Sequence, residues 1–233
     1  MHHTLQAEGF GVRLRPVRKE DAAFIVWLRN LDHAKGRIGD SAIEVTSQEA
    51  WLTKYFDRPQ DYYFLIETLG GRPVGTYGLW DFTDNSAESG RWIIRTDVPA
   101  AIPSAVLGLD IAFTTLGLSK LRVKTVSTNL PVLSLNRKFG MRQTIIETDS
   151  TVIGGQSVDQ IHFVLYPRDW AQARQRLLPL AKIAEQQIRD WEKAENQGPQ
   201  PGPETTACSL RVNQTTPVSS QATAVCANPS IQL

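Results

Sequence analysis

The chain has 233 residues, 41% of them hydrophobic, with 25 Lys and Arg against 24 Asp and Glu for a formal charge of +1. That length allows one domain with a sizeable core and some chain to spare, and the near-neutral balance argues against nucleic acid as a partner. No apolar run approaches the roughly 20 residues needed to span a bilayer, which argues against a membrane partner. Met1–Gly11 lacks a basic start followed by an apolar stretch, so no secretion signal is expected and a cytoplasmic location follows. Both cysteines, Cys208 and Cys226, fall in the last 26 residues, which disfavours a disulfide framework or a metal site. His2 and His3 are assigned no role.

In chain order, Val12–Arg15 reads as a short strand and Asp21–Asn30 as a helix with Ile25 and Leu28 on one face. Thr46 and Glu49 have the spacing of a capping box, opening a short helix through Trp51, Leu52, Tyr55 and Phe56. Tyr62–Thr68 and Pro73–Trp80 are β-rich runs joined through Gly70 and Gly71, a hairpin signal. Glu88–Arg95 is a third strand after the polar turn Thr83-Asp84-Asn85-Ser86. Pro103–Leu116 reads as a helix, with Pro103 at its first position and Gly117 at its end. Lys120–Ser127 is a strand, and Pro131–Phe139 a short helix closed by Gly140. Arg142–Thr148 and Val158–Tyr166 are a last strand pair around Gly154 and Gly155.

Asp169–Trp191 is helical, with Trp170, Ala173, Leu177, Leu180, Ala184, Ile188 and Trp191 at spacings of three and four. Pro179 should kink or split this helix. Its apolar stripe has two outlets, the domain itself or a second copy in a homodimer. From Gln197 the chain is rich in Gly, Pro, Ser, Thr and Gln and poor in large apolar residues, so a disordered tail is expected over 196–233. The order β-α-α-β-β-β-α-β-α-β-β plus a long helix defines a mixed α/β sheet, with hairpins in one half and a strand–helix–strand crossover in the other.

Three segments carry a family resemblance. The first is Leu14-Arg15-Pro16-Val17, then Asp21, then Trp27-Leu28-Arg29-Asn30. The second is Ala87-Glu88-Ser89-Gly90-Arg91-Trp92-Ile93-Ile94, with a helix ending Ile111-Ala112-Phe113-Thr114-Thr115-Leu116-Gly117-Leu118. The third, the most specific, runs Asn129-Leu130-Pro131-Val132-Leu133-Ser134-Leu135-Asn136-Arg137-Lys138-Phe139-Gly140-Met141. In that order the chain resembles the GNAT N-acetyltransferases, in the branch of ribosomal-protein N-terminal and bacterial amino-sugar acetyltransferases, over Val12 to Tyr166. The resemblance implies a GNAT fold: a mostly antiparallel sheet with a splayed central strand pair, flanking helices and a long C-terminal helix. The acetyltransferase domain would span 1–168 and the helical extension 169–195. It also implies acetyl-CoA as cosubstrate, with the thioester in a splay between Glu88–Arg95 and Lys120–Ser127. The main chain of Ile93, Ile94 and Arg95 would bond the acetyl carbonyl and pantetheine arm.

In the family a Gly-rich loop and helix N-terminus usually hold the pyrophosphate. Here that loop, Thr96–Ala105, has no glycine and carries Asp97; Ala100, Ala101, Ile102, Ser104 and Ala105 would line it, with the Ser104 hydroxyl as a donor. The other reading is a plain strand-to-helix connection. Asn129 would contact pantetheine or acceptor, or act as a helix N-cap. Asn136 stands where many members place a tyrosine acid; it can hydrogen-bond a thiolate but not protonate it, or be a simple exposed helix residue. An alkylammonium has a pKa of about 10.4, so a base must take its proton, and Glu88 matches the family position for that role. Asp81 would bind the ammonium or share the task. Arg29, Asn30 and His33, near Arg37 and Asp40, would grip the acceptor, and Trp80 and Trp92 would wall its cleft or simply fill the core. The open readings are an acetyltransferase for an amino sugar, nucleotide-linked; one for a protein N-terminus or another small-molecule amine; and a binding module that has lost CoA.

Overall fold

The computed structural model describes residues 3–35, 37 and 44–197. The expected tail with Cys208 and Cys226, and Asp40 of the acceptor loop, lie outside them. Eight strands form one sheet: β1 (Ala7–Gly9), β2 (Val12–Pro16), β3 (Tyr62–Thr68), β4 (Pro73–Thr83), β5 (Ser86–Ile94), β6 (Lys120–Val126), β7 (Arg142–Ile153) and β8 (Gln156–Leu165). Their order is β1-β2-β3-β4-β5-β6-β8-β7. Every neighbouring pair is antiparallel except β5 and β6. The helices are α1 (Ala22–Arg29), α2 (Val45–Tyr55), α3 (Ala101–Asp110), α4 (Leu130–Lys138) and α5 (Pro167–Gln197).

Alternation along β3 sends its apolar residues to both faces of the sheet, and both faces are covered by helices. Tyr63 packs with Ile25 of α1 and with Leu52 and Tyr55 of α2. Phe64 and Ile66 join the main core with Val106 and Leu109 of α3 and with Trp170, Ala173, Leu177 and Ile188 of α5. The stripe on the last helix therefore packs on its own domain, except that Leu180 is 51% exposed and the neighbouring Ala181 is buried in its place. Tyr77 of β4 crosses to α3 where a Cβ on Gly108 would lie 2.6 Å from its ring, so only glycine permits that approach.

Several local expectations need correction. The Thr46–Glu49 capping box does not form: α2 starts at Val45 with extended Glu44 as N-cap and no side-chain cap. The helix expected from Pro103 starts at Ala101, so Pro103 occupies its third position; its missing N–H is still one that a first turn leaves unpaired. That helix also changes character at Ile111–Thr115, which winds as a π turn before Gly117, at φ 63°, ends it. Pro179 lies inside a single unbroken α5 and does not split it. Strand β1 was not foreseen. It pairs with β2 across Phe10 and Gly11, both at positive φ. The polar turn before β5 narrows to Asp84 and Asn85, again both at positive φ, as a two-residue hairpin requires. His3 is 6% exposed, edge-on to Tyr62 and Phe64.

Candidate active site

Parallel pairing of β5 with β6 covers only Ser86–Ser89 against Lys120–Val123. Beyond it, Gly90–Ile94 keep their contacts with β4 while Lys124–Val126 pair only with β8, and the two strands part. A β-bulge begins the parting: Tyr77 alone on β4 stands opposite Arg91 and Trp92 on β5. Arg91 takes φ 48°, and the Thr76 hydroxyl donates to its carbonyl at 2.7 Å. The bulge is held from the side as well. The Arg91 guanidinium forms two bonds to the buried Asp61 carboxylate, at 2.5 and 3.0 Å, and lies 4.5 Å from the Trp80 ring centre, with Trp51 and Tyr63 close by. After the bulge, Arg95 donates its N–H to the Val74 carbonyl. Residues of a strand alternate, so Ile94 turns its own N–H and C=O the other way, toward the splay.

The splay opens into a cleft of about 370 Å³. Its lining is divided by the sheet. Glu88 and Lys124 lie on the α1–α2 side with Trp80, Arg91 and Arg29. Ser89, Thr125, Trp92, Asn136 and Phe139 lie on the α3–α4 side. On the first side Glu88 is half-buried and forms no ion pair or hydrogen bond among the described residues. Burial, reinforced by the charge of Arg91, lowers the Arg29 pKa below the usual guanidinium value. On the second side Asn136 is 2% exposed and its amide donates to the Thr125 hydroxyl at 3.0 Å, so it is no exposed helix residue. The Ser89 hydroxyl donates to Tyr77, whose phenol burial pushes well above its ordinary pKa. Asn129, the α4 N-cap residue, makes no side-chain bond to the helix and lines the cleft.

A smaller cavity of about 150 Å³ continues the slot toward the α3 N-terminus, between Ile94 and Ala101 on one side and Pro131 and Leu135 of α4 on the other. His33 reaches it from the α1–α2 connection and donates from Nε2 to the Ile94 carbonyl at 2.9 Å.

Of the residues expected at the site, Glu88, Asn136, Ile93, Ala105, Asn129 and Arg29 line the cleft, and Ile94, Ala101 and His33 the smaller cavity. The remaining ones are placed elsewhere. Asp81 points to Arg122 at 3.0 Å and lines neither cavity. Asn30 caps α1, donating its amide to Val26. The Arg95 guanidinium is bidentate on Asp97 and lies between Trp27 and Trp191, and it holds the Asp97 carboxyl below its usual pKa. Ser104 is fully buried. Its hydroxyl donates to the Ala101 carbonyl and accepts from the Trp92 indole, so the expected phosphate donor is already committed. Ala100 is buried beneath the turn, and Ile102 beside it packs against the core. Sequence reading missed Asp61, Thr125 and Lys124. The bulge had one signal, Gly90 inside a strand. Among the described residues no cluster of three or more His, Cys, Asp or Glu could hold a metal, and no helix is long and apolar enough to cross a membrane.

Residues 12–142 match the acetyltransferase (GNAT) domain family. The chain belongs to that family and is an N-acetyltransferase. It is similar in structure to apo FdhC, a nucleotide-linked sugar GNAT, at 26% identity over 77% of this chain and 98% of that chain, with a TM-score of 0.63. RimJ of Mycobacterium smegmatis, solved with CoA-disulfide, is 24% identical over 73% of this chain and 90% of that one, at TM-score 0.63. A variant of the spermidine N-acetyltransferase SpeG from Vibrio cholerae is 19% identical over 70% and 98%, at 0.62. These last two share the fold. No curated protein matches the chain significantly.

Proposed function

We propose that this protein transfers the acetyl group of acetyl-CoA to the primary amine of an amino sugar that carries an anionic, nucleotide-type group. The observation that carries this reading is the charge of the α1–α2 side of the cleft. Among the described residues the cleft lining carries Lys124 and Arg37 with one carboxylate, Glu88, while Arg91 is neutralised by Asp61. A polyamine would be repelled by that set; an amine attached to a phosphate would be held by it. The likeness to a nucleotide-linked sugar GNAT points the same way.

The residues fit the cosubstrate. The Ile94 N–H faces the splay, Ala101 and Ile102 begin a helix whose first N–H groups have no partner, and Arg95 cancels the charge of Asp97. Acetyl-CoA supplies an acyl group on a good leaving thiol. Glu88 accepts the ammonium proton, directly or through one water, so that the amine is nucleophilic where it meets the splay. Asn136 and Asn129 offer amide donors on the opposite side, where the C–S bond breaks; neither gives up a proton, so the second proton shed by the nitrogen as the amide forms passes to solvent and the thiolate takes one from it.

Thiol release from acetyl-CoA, followed with a nucleotide-linked amino sugar, spermidine and a peptide amine in parallel, tests this. Turnover with the sugar nucleotide and none with spermidine is expected. Turnover confined to spermidine or to the peptide would overturn the acceptor assignment.

A further inference from the structure

The turn before α3 is poorly equipped to hold two phosphates. It has no glycine, Ser104 is committed to Ala101 and Trp92, and Pro103 removes one N–H from the first helical turn. The Ser104 N–H bonds to Ala100, which leaves the main-chain donors of Ala101 and Ile102. The nearest cation in sequence, Arg95, is bound to Asp97 and two tryptophans. A pyrophosphate seated there would lack a countercharge from its own loop.

Among the described residues one guanidinium reaches the slot from elsewhere. Arg37, in the connection from α1 to α2, lines both the large cleft and the smaller cavity that ends at Ala101. Its guanidinium has no ion-pair or hydrogen-bond partner among the described residues. Its position is fixed by what precedes it. Ala34 is 3% exposed and packs with Leu28 and Ile93 in a cluster of its own. The Arg37 N–H bonds to the Ala34 carbonyl at 3.1 Å, and His33 is bonded to Ile94. This turn is therefore anchored on the strand along which the pantetheine arm would run.

We infer that Arg37 is the pyrophosphate-binding cation of the acyl-CoA site, supplied by the α1–α2 connection in place of a glycine-rich turn. The inference rests on the reading of the splay as an acetyl-CoA site. A guanidinium matches phosphate oxygens in a two-point fork, which an ammonium cannot do. Because the same connection borders the acceptor cleft, cofactor phosphate and acceptor pocket meet at one residue.

The test is calorimetric titration of the full chain, as wild type, Arg37→Ala and Arg37→Lys, with CoA, dephospho-CoA and pantetheine, each variant first checked by thermal melting. Loss of a hydrogen-bonded charge pair should weaken CoA and dephospho-CoA binding about tenfold to a hundredfold in Arg37→Ala. Arg37→Lys should fall between, and pantetheine binding should not change. If Arg37→Ala does not fold, Arg37→Lys alone decides, by a loss on CoA that pantetheine does not show. CoA affinity within twofold of wild type, an equal loss on pantetheine, or a loss absent from dephospho-CoA would each overturn the assignment. Failure of the wild type to bind CoA at all would instead remove the functional reading beneath it.

Discussion

The two sides of the splay are built from the same pair of strands and offer opposite chemistry. On the α1–α2 side the strands present Glu88 and Lys124, with Arg29 and the Arg91–Asp61 pair around them. One residue along, on the α3–α4 side, they present Ser89, Thr125 and, after the bulge, Trp92, against Asn136 and Phe139. The alternation of a strand is enough to make one side charged and the other a lining of hydroxyls, an amide and rings. A gap in the sheet then joins them. On the proposed reading transfer uses that division: the amine loses its proton beside Glu88, while the thiol lies against the uncharged lining of the other side.

If the two sides act separately, each can be damaged alone. The largest effect should come from Ala101→Glu, which sets a carboxylate against the pyrophosphate; CoA affinity should fall at least a hundredfold in a titration, while the thermal midpoint stays near that of wild type. An unchanged affinity would move the phosphate site away from α3. Glu88→Gln should lower turnover roughly a hundredfold, with CoA affinity unaltered, since only the proton acceptor is lost. Equal turnover would remove Glu88 from the mechanism, and a parallel loss of CoA binding would contradict the division of the two sides. The smallest effect lies away from both sides, at His3. Burial lowers its pKa in the fold below the usual value of about 6.5, so the folded protein resists protonation. Its contribution is complete above pH ~6.5 and declines as pH falls through the lower folded value. Melting curves across that range should show this decline in wild type and lose part of it in His3→Phe; identical profiles would show that His3 does not titrate.

Much of this architecture was legible from residue pattern. The strand–helix order, the Gly70–Gly71 and Gly154–Gly155 turns and the stripe of α5 follow from periodicity and turn chemistry, and Glu88, Asn129 and Asn136 from their place in a motif. What escaped depends on long-range pairing. Asp61 is thirty residues from Arg91, and nothing local marks it as the partner that holds the bulge. Ser104 looked like a phosphate donor because it stands at a helix start; Trp92 on the neighbouring strand takes it up instead. Asp81 looked like a second acid at a strand end until Arg122 of β6 claimed it. The Thr46–Glu49 spacing satisfies a local rule, yet the helix began one residue before Thr46, so no cap could form.

The central claim is that this slot, with no glycine in its Thr96–Ala105 loop, binds acetyl-CoA. Calorimetric titration of the purified wild-type chain with acetyl-CoA tests it most directly. Saturable one-to-one binding at micromolar concentration is the predicted result. No heat of binding at millimolar concentration would contradict it, and would leave a GNAT fold whose splay holds something other than its family's cosubstrate.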